Sequence, residues 1–167
     1  YTWKELPKVD GSGNEITYTV TEGTVPDGYE CYETTVDAGG TITNTLDTGA
    51  LEIAKKVFID NKPATATVRS KEFYVVVKAV IDGETFWVTS DSGELSKDQR
   101  DAETFTITAE EGALIENLPV GEYTVTETNA SYAGFTVATK YEVGGSETSS
   151  VTLSDGDAAA VVVTNTV

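Results

Sequence analysis

The stretch Tyr123-Thr124-Val125-Thr126-Glu127 decides the fold. In an extended chain Tyr123, Val125 and Glu127 share one face and the two threonines share the other, the period of a half-buried strand. The same five residues occur earlier as Tyr18-Thr19-Val20-Thr21-Glu22. The surroundings repeat as well. Leu6-Pro7 precedes the first copy and Leu118-Pro119 the second; Gly28-Tyr29 and Gly134-Phe135 follow; Ile42-Thr43-Asn44-Thr45 and Val163-Thr164-Asn165-Thr166 close each set. A motif order repeated in this way predicts two homologous units. The second, residues 50–167, is complete. The first, residues 1–46, carries only the C-terminal half of the pattern, and residues 47–49 read as a linker.

Composition agrees with strands. The 167 residues include 27 Thr and 20 Val, β-branched types that favour the pleated chain over the helix. Residues 73–81 read as a strong strand, with Asp82-Gly83 as a hairpin turn into residues 85–90. Further strands are expected at 16–22, 41–45, 51–55, 104–109, 123–127, near 135–139, near 148–153 and at 160–166. Residues 91–102 read as a polar loop with at most one helical turn. Short strands separated by turns at this spacing predict an all-β, Ig-like sandwich.

The same composition excludes several functions. Asp and Glu number 28 against 11 Lys and Arg, a net charge of −17, which is the wrong sign for nucleic acid or an anionic membrane. There is no histidine, so the usual general base and metal ligand are missing. The single Cys31 can make neither an intramolecular disulfide nor a zinc site. No cofactor and no metal are expected, and no apolar run reaches the ~20 residues of a membrane helix.

Parity picks out three polar residues. Lys55 is in register with Leu51 and Ile53, Glu127 with Tyr123 and Val125, and Asn165 with Val161 and Val163. An amine, a carboxyl and a carboxamide therefore project onto the apolar faces of three strands. Burying any of them unpaired costs several kcal/mol, so they should meet. A buried, purely structural ion pair with a hydrogen-bonded amide would satisfy the same pattern. Lys56, the competing amine, points to the opposite face. Glu22 and Asn44 repeat the carboxyl and the carboxamide in the first unit, but no lysine strand precedes them, and Lys4 and Lys8 lie in the turn-side segment.

These motifs resemble the CnaB-type domains of Gram-positive surface adhesins and pilins. The likeness is closest from Leu6-Pro7-Lys8-Val9-Asp10 through Tyr18–Glu22 and Val25-Pro26-Asp27-Gly28-Tyr29 to Asn44. It is looser in the second unit, through Gly49-Ala50-Leu51-Glu52-Ile53-Ala54-Lys55, the strand ending at Glu127, and Thr164-Asn165-Thr166; residues 58–103 match little. The resemblance implies tandem CnaB-type sandwiches, the first incomplete. It also implies a spontaneous intramolecular isopeptide bond between Lys55 and Asn165, with Glu127 as proton shuttle. Glu22 and Asn44 would form a second site whose lysine is missing from the chain, through truncation, strand complementation by another chain, or permutation. The chemistry is plausible in a dry interior: burial lowers an amine's pKa and raises a carboxyl's, by up to ~3–5 units for fully buried groups. In this reading Glu127, holding a proton, polarises the Asn165 carbonyl while Lys55 attacks it. The reaction would run once per chain, so no enzyme is expected.

The implied function is a stalk or backbone module of an extracellular, cell-wall adhesin or pilin. Its partners would be neighbouring domains or subunits of the same polymer. The alternative is a ligand-binding adhesin domain that recognises a host surface or matrix protein through loop 91–102 and the turns near 130–134. Minor signals read blandly: Asp10-Gly11-Ser12-Gly13-Asn14 as a turn, Cys31-Tyr32 as a lone thiol beside a tyrosine rather than a thioester centre.

Overall fold

The computed structural model describes residues 2–131 and 137–167. It divides into two compact units, Tyr1–Leu46 and Asp47–Val167.

In the first unit, β1 (Thr19–Thr21) pairs antiparallel with β3 (Thr35–Asp37), and β2 (Tyr29–Glu30) pairs antiparallel with β4 (Thr45–Leu46). The predicted parity holds, since Tyr18, Val20 and Glu22 are half-buried while Thr17, Thr19 and Thr21 are exposed. The strand itself is shorter than the alternation suggested. Residues 16–18 lie outside β1, and Ile16 instead donates its N–H to the Lys8 carbonyl. Asp10 closes its turn by accepting N–H groups from Ser12 and Asn14 and the Asn14 side-chain amide, and the Asn14 side chain is the main cause that lowers its pKa.

The second unit is the all-β, two-sheet architecture expected. Its strands are β5 (Thr48–Ile59), β6 (Lys62–Pro63), β7 (Phe73–Ile81), β8 (Glu84–Val88), β9 (Leu95–Ser96), β10 (Phe105–Ile107), β11 (Ala113–Pro119), β12 (Gly121–Glu127), β13 (Ala138–Val143), β14 (Ser146–Glu147), β15 (Ser150–Leu153) and β16 (Ala158–Thr166). One sheet runs β15-β12-β7-β8-β9, with β10 also on β7. The other runs β11-β5-β16-β13-β14, with β6 on β5. The first and last strands, β5 and β16, lie side by side and parallel, with Lys55 opposite Val163 and Asn165 opposite Val57. Leu51, Ile53, Val161 and Val163 from one sheet meet Val75, Val77, Ala79, Tyr123 and Val125 from the other in a single core.

Several expectations need correction. Thr48 and Gly49, read as linker, are the first residues of β5, and the Gly49 backbone is buried against the turn between β15 and β16, so that a Cβ would lie 2.9 Å from the Asp157 carbonyl oxygen. Loop 91–102 holds the short strand β9 as well as one 3-10 turn, Gln99–Asp101. Strand β11 was not foreseen, because its apolar alternation breaks at a bulge where Asn117 takes a positive φ of 54°. The α-turn Ala66–Arg69, which buries Val68, was not foreseen either. The hairpin at Asp82-Gly83 is as expected, both residues having positive φ (52° and 78°), as a type I′ turn requires. Gly134-Phe135 of the repeat, and most of the turn near 130–134, lie outside the described residues.

Candidate functional site

The site is built on β5, β12, β13 and β16. Strands β5, β12 and β16 each carry one inward polar side chain and β13 carries two, because successive side chains of a strand point to opposite faces. Along β5 the burial pattern alternates strictly from Leu51 to Val57, so Lys55 is carried inward with Leu51 and Ile53 while Lys56 is exposed. Lys55 is 5 % exposed and Asn165 is fully buried, the two buried polar residues of the described core.

The three side chains meet. Lys55 Nζ lies 2.6 Å from Glu127 Oε1, with both side chains shut off from solvent (0 % and 1 % exposed). Asn165 Nδ2 donates to the same Oε1 at 3.2 Å. A single carboxylate oxygen thus touches both the amine and the amide nitrogen. The Phe73 ring sits 4.3 Å from Nζ and closes the amine off on another side. Burial is the largest influence on Lys55 and pushes its pKa below the usual lysine value; the Glu127 hydrogen bond and charge oppose this without reversing it.

Two residues of β13 complete the site, and neither was singled out from sequence. Thr139 pairs with Asn165 across the sheet, and its hydroxyl lies 3.0 Å from Asn165 Oδ1 and 3.2 Å from Glu127 Oε2. Tyr141 accepts the Glu127 backbone N–H on its hydroxyl at 2.9 Å, which fixes the end of β12 beyond its pairing with β15 while β7 still lies on its other side. The missed signal was the alternation of Thr139, Tyr141 and Val143, all half-buried beside exposed neighbours. One geometric detail departs from the expected roles. The Asn165 carbonyl oxygen is held by Thr139, while Glu127 faces the amide nitrogen.

In the first unit Asn44 Nδ2 donates to Glu22 Oε1 at 2.9 Å, the same pair of atoms as in the second. Glu22 Oε2 is shut off from solvent and meets no nitrogen or oxygen donor among the described residues; the Cys31 thiol is the weak hydrogen-bonding group beside Glu22. The Cys31 thiol lies nearby, its pKa pushed up by burial first and by Glu22 second, which disfavours the thiolate that nucleophilic chemistry requires.

The fold and the site define a class: tandem β-domains, the larger with an amine, a carboxylate and an amide assembled in a dry core. Over residues 51–167 the chain belongs to a family described as a domain of unknown function (DUF5979). Residues 1–45 match the Cna protein B-type domain, in agreement with the resemblance read from the motifs. Similar solved structures include the major pilin of Streptococcus pyogenes, 20% identical, with 90% of this chain and 69% of that one covered and a TM-score of 0.48. A second major pilin of the species is 18% identical over 80% of this chain and 52% of its own, with a TM-score of 0.44, so the present chain spans about half its length. An adhesin from Mobiluncus mulieris, described as containing intramolecular disulfide, isopeptide and ester bond cross-links, is 16% identical over 84% and 54%, with a TM-score of 0.47. No curated protein matches the chain. Among the described residues no helix is long and apolar enough to cross a membrane.

Proposed function

We propose that the chain is a structural module of a Gram-positive cell-surface adhesin or pilin, and that its second unit welds β5 to β16 through an isopeptide bond between Lys55 and Asn165. The observation that carries this is the sharing of one buried carboxylate oxygen, Glu127 Oε1, by the lysine amine and the asparagine amide nitrogen.

These contacts support a proton relay. Lys55 first passes its surplus proton to Glu127, leaving a neutral amine with a lone pair. That amine attacks Asn165 Cγ. Once the Nζ–Cγ bond has formed, Nδ2 is a basic sp³ nitrogen and takes the proton from Oε1, and Glu127 then recovers one from the attacking nitrogen. The Cγ–Nδ2 bond breaks, ammonia leaves, and a secondary amide joins the strands. Every proton moves through one carboxylate, and no cofactor enters. Reactants held in contact gain effective molarities of ~10⁵–10⁸ M, which allows an otherwise slow aminolysis to proceed. The event occurs once per molecule and is not enzymatic turnover.

Because β5 and β16 are parallel neighbours, a bond between them would lock the first strand of the unit to the last. A pull on the ends of the unit would load the covalent bond, and the roughly one hundred residues between Lys55 and Asn165 would be shielded from extension. The partners would be adjoining domains or subunits of the same polymer, on the bacterial cell surface. Glu22 and Asn44 would form a second site of the same kind once a lysine is brought to them; the solvent-shielded Glu22 Oε2, which no nitrogen or oxygen donor among the described residues reaches, supports this reading.

Intact-mass measurement on the purified chain, followed by peptide mapping, tests the bond. The expected result is a mass lower by one ammonia, with Lys55 and Asn165 in one branched peptide, and full mass in Lys55→Ala. A full mass in the wild-type chain refutes the reading.

A further inference from the structure

We propose that the Thr139 hydroxyl is a catalytic donor in this condensation, holding the charge that develops on Asn165 Oδ1 when the amine adds. The proposal rests on the Lys55–Asn165 reading above and assigns the one reacting atom that Glu127 does not reach.

Attack of Nζ on Cγ pushes a pair of electrons onto Oδ1, and an alkoxide in a dry core needs a donor aimed at it. Glu127 Oε1 is taken up by Nζ and Nδ2. The hydroxyl of Thr139, 3.0 Å from Oδ1, is the donor the structure gives that oxygen. Strand register holds it there, because Thr139 is directly opposite Asn165 in the β13–β16 pair.

The hydroxyl has one proton and two acceptors within reach, Oδ1 at 3.0 Å and Glu127 Oε2 at 3.2 Å. Their relative strength changes during the reaction. Before proton transfer Glu127 is an anion, and Oε2 competes strongly for the hydrogen bond. Once Glu127 has taken the lysine proton, Oε2 belongs to a neutral acid and becomes a weaker acceptor, while Oδ1 gains negative charge and becomes a stronger one. The hydroxyl proton therefore swings to Oδ1 as the tetrahedral intermediate forms. The interaction strengthens in the transition state relative to the ground state, which is the condition for a group to accelerate a step. When the intermediate collapses, the electron pair returns to the carbonyl and ammonia departs; Thr139 ends with its own proton.

The test follows condensation in full-length chains made by pulse-labelled cell-free synthesis, quenched in denaturant at intervals and read by intact mass. Thr139→Val keeps the shape and removes the hydroxyl; Thr139→Ser keeps the hydroxyl. The expected result is that Thr139→Val slows ammonia loss by about 10²-fold, the usual effect of deleting one such donor, while Thr139→Ser stays within several-fold of wild type. Thermal midpoints of Lys55→Ala with and without Thr139→Val, both uncondensed, check that the fold is kept. If Thr139→Val does not fold, Thr139→Ala set against Thr139→Ser decides by the same ratio. A wild type that condenses alongside a Thr139→Val that matches it overturns this proposal and leaves the isopeptide reading intact. Equal slowing in the valine and serine variants also overturns it, because the methyl packing would then be responsible. A wild type that never loses ammonia overturns both.

Discussion

The two units carry the same hydrogen-bond skeleton in different surroundings. In each, the tyrosine that opens the Tyr-Thr-Val-Thr-Glu strand donates its hydroxyl to the carbonyl of the Leu-Pro proline: Tyr18 to Pro7 at 2.9 Å, and Tyr123 to Pro119 at 2.7 Å. In each, the closing asparagine donates to the strand's glutamate, at 2.9 Å from Asn44 and 3.2 Å from Asn165. The burial differs completely. Every buried hydrophobic residue described belongs to the second unit, while Tyr18, Val20 and Glu22 are only half-buried. Tyr123 is fully buried, and burial pushes its phenol well above the usual tyrosine range. In the second unit Glu127 has Lys55 on one oxygen and Thr139 on the other; in the first, no nitrogen or oxygen donor among the described residues reaches Glu22 Oε2. A short motif is enough to set the hydrogen bonds. Desolvation of an amine needs two full sheets.

The sharpest way to break this comparison is to remove the cross-link. Asn165→Ala leaves the Lys55–Glu127 pair but gives the amine nothing to condense with. In the chain-entropy account of cross-links, a closed loop of roughly one hundred residues is worth about 4–5 kcal/mol. The variant's second unit should therefore melt on the order of 20 °C lower than wild type in calorimetry, and Asn44→Ala should leave that transition unmoved. Equal melting of Asn165→Ala and wild type would contradict a covalent cross-link in the second unit.

A smaller effect compares the cores directly. Val125 and Val20 hold the same place in the two copies of the motif, but Val125 is 1 % exposed and Val20 is half-buried. Val125→Ala should destabilise its unit by about 2 kcal/mol, from lost transfer energy plus a cavity. Val20→Ala should cost its unit less than about 1 kcal/mol, since little apolar area leaves water. Native-state hydrogen exchange on the full chain reads both, and a Val20→Ala effect as large as that of Val125→Ala would mean that the first unit has a core of its own.

How much of this was legible follows from the same contrast. Lys55 and Glu127 could be read because each follows apolar residues that alternate along its strand, where one-residue parity fixes the face, whereas Asn165 follows the continuous apolar run Ala158–Val163 and was placed by its register with Val161 and Val163. Their convergence followed from the cost of burying each alone. Thr139 was harder. A threonine suits either face of a strand, and its strand, Ala138–Val143, has exposed Lys140 and Glu142 between half-buried positions and no fully buried residue. Strand β11 was hidden by its bulge, and Thr48 and Gly49 were taken for a linker because a small polar pair reads as a turn when its close contact with a neighbouring strand is not visible.

The smallest expected effect is also the most specific to the buried amine, and it appears in pH. In Asn165→Ala, which cannot condense, Lys55 retains a folded-state pKa below the ordinary lysine value of 10.5, chiefly through burial. Below the folded pKa the amine is charged in both states, and the cost of burying that charge is fully present. Between the folded pKa and 10.5 the unfolded chain binds the extra proton and the folded chain does not, so stability rises with pH across that window. Urea unfolding of Asn165→Ala from neutral pH to about pH 10 should show this rise, and Lys55→Met in the same background should lose it. The buried Tyr123 phenol acts in the opposite direction once free tyrosine begins to ionise, but it is common to both variants and cancels in the difference. Residues 1–46 supply the internal control, since Lys4 and Lys8 are exposed and no amine among the described residues reaches the buried Glu22 oxygen; their unfolding should lack the rise, and the raised pKa of the Cys31 thiol should make their stability fall with pH instead. Identical pH profiles with and without Lys55 would mean that burial has not lowered the proton affinity of this amine, and the nucleophile would then lack the preparation that distinguishes the second unit from the first.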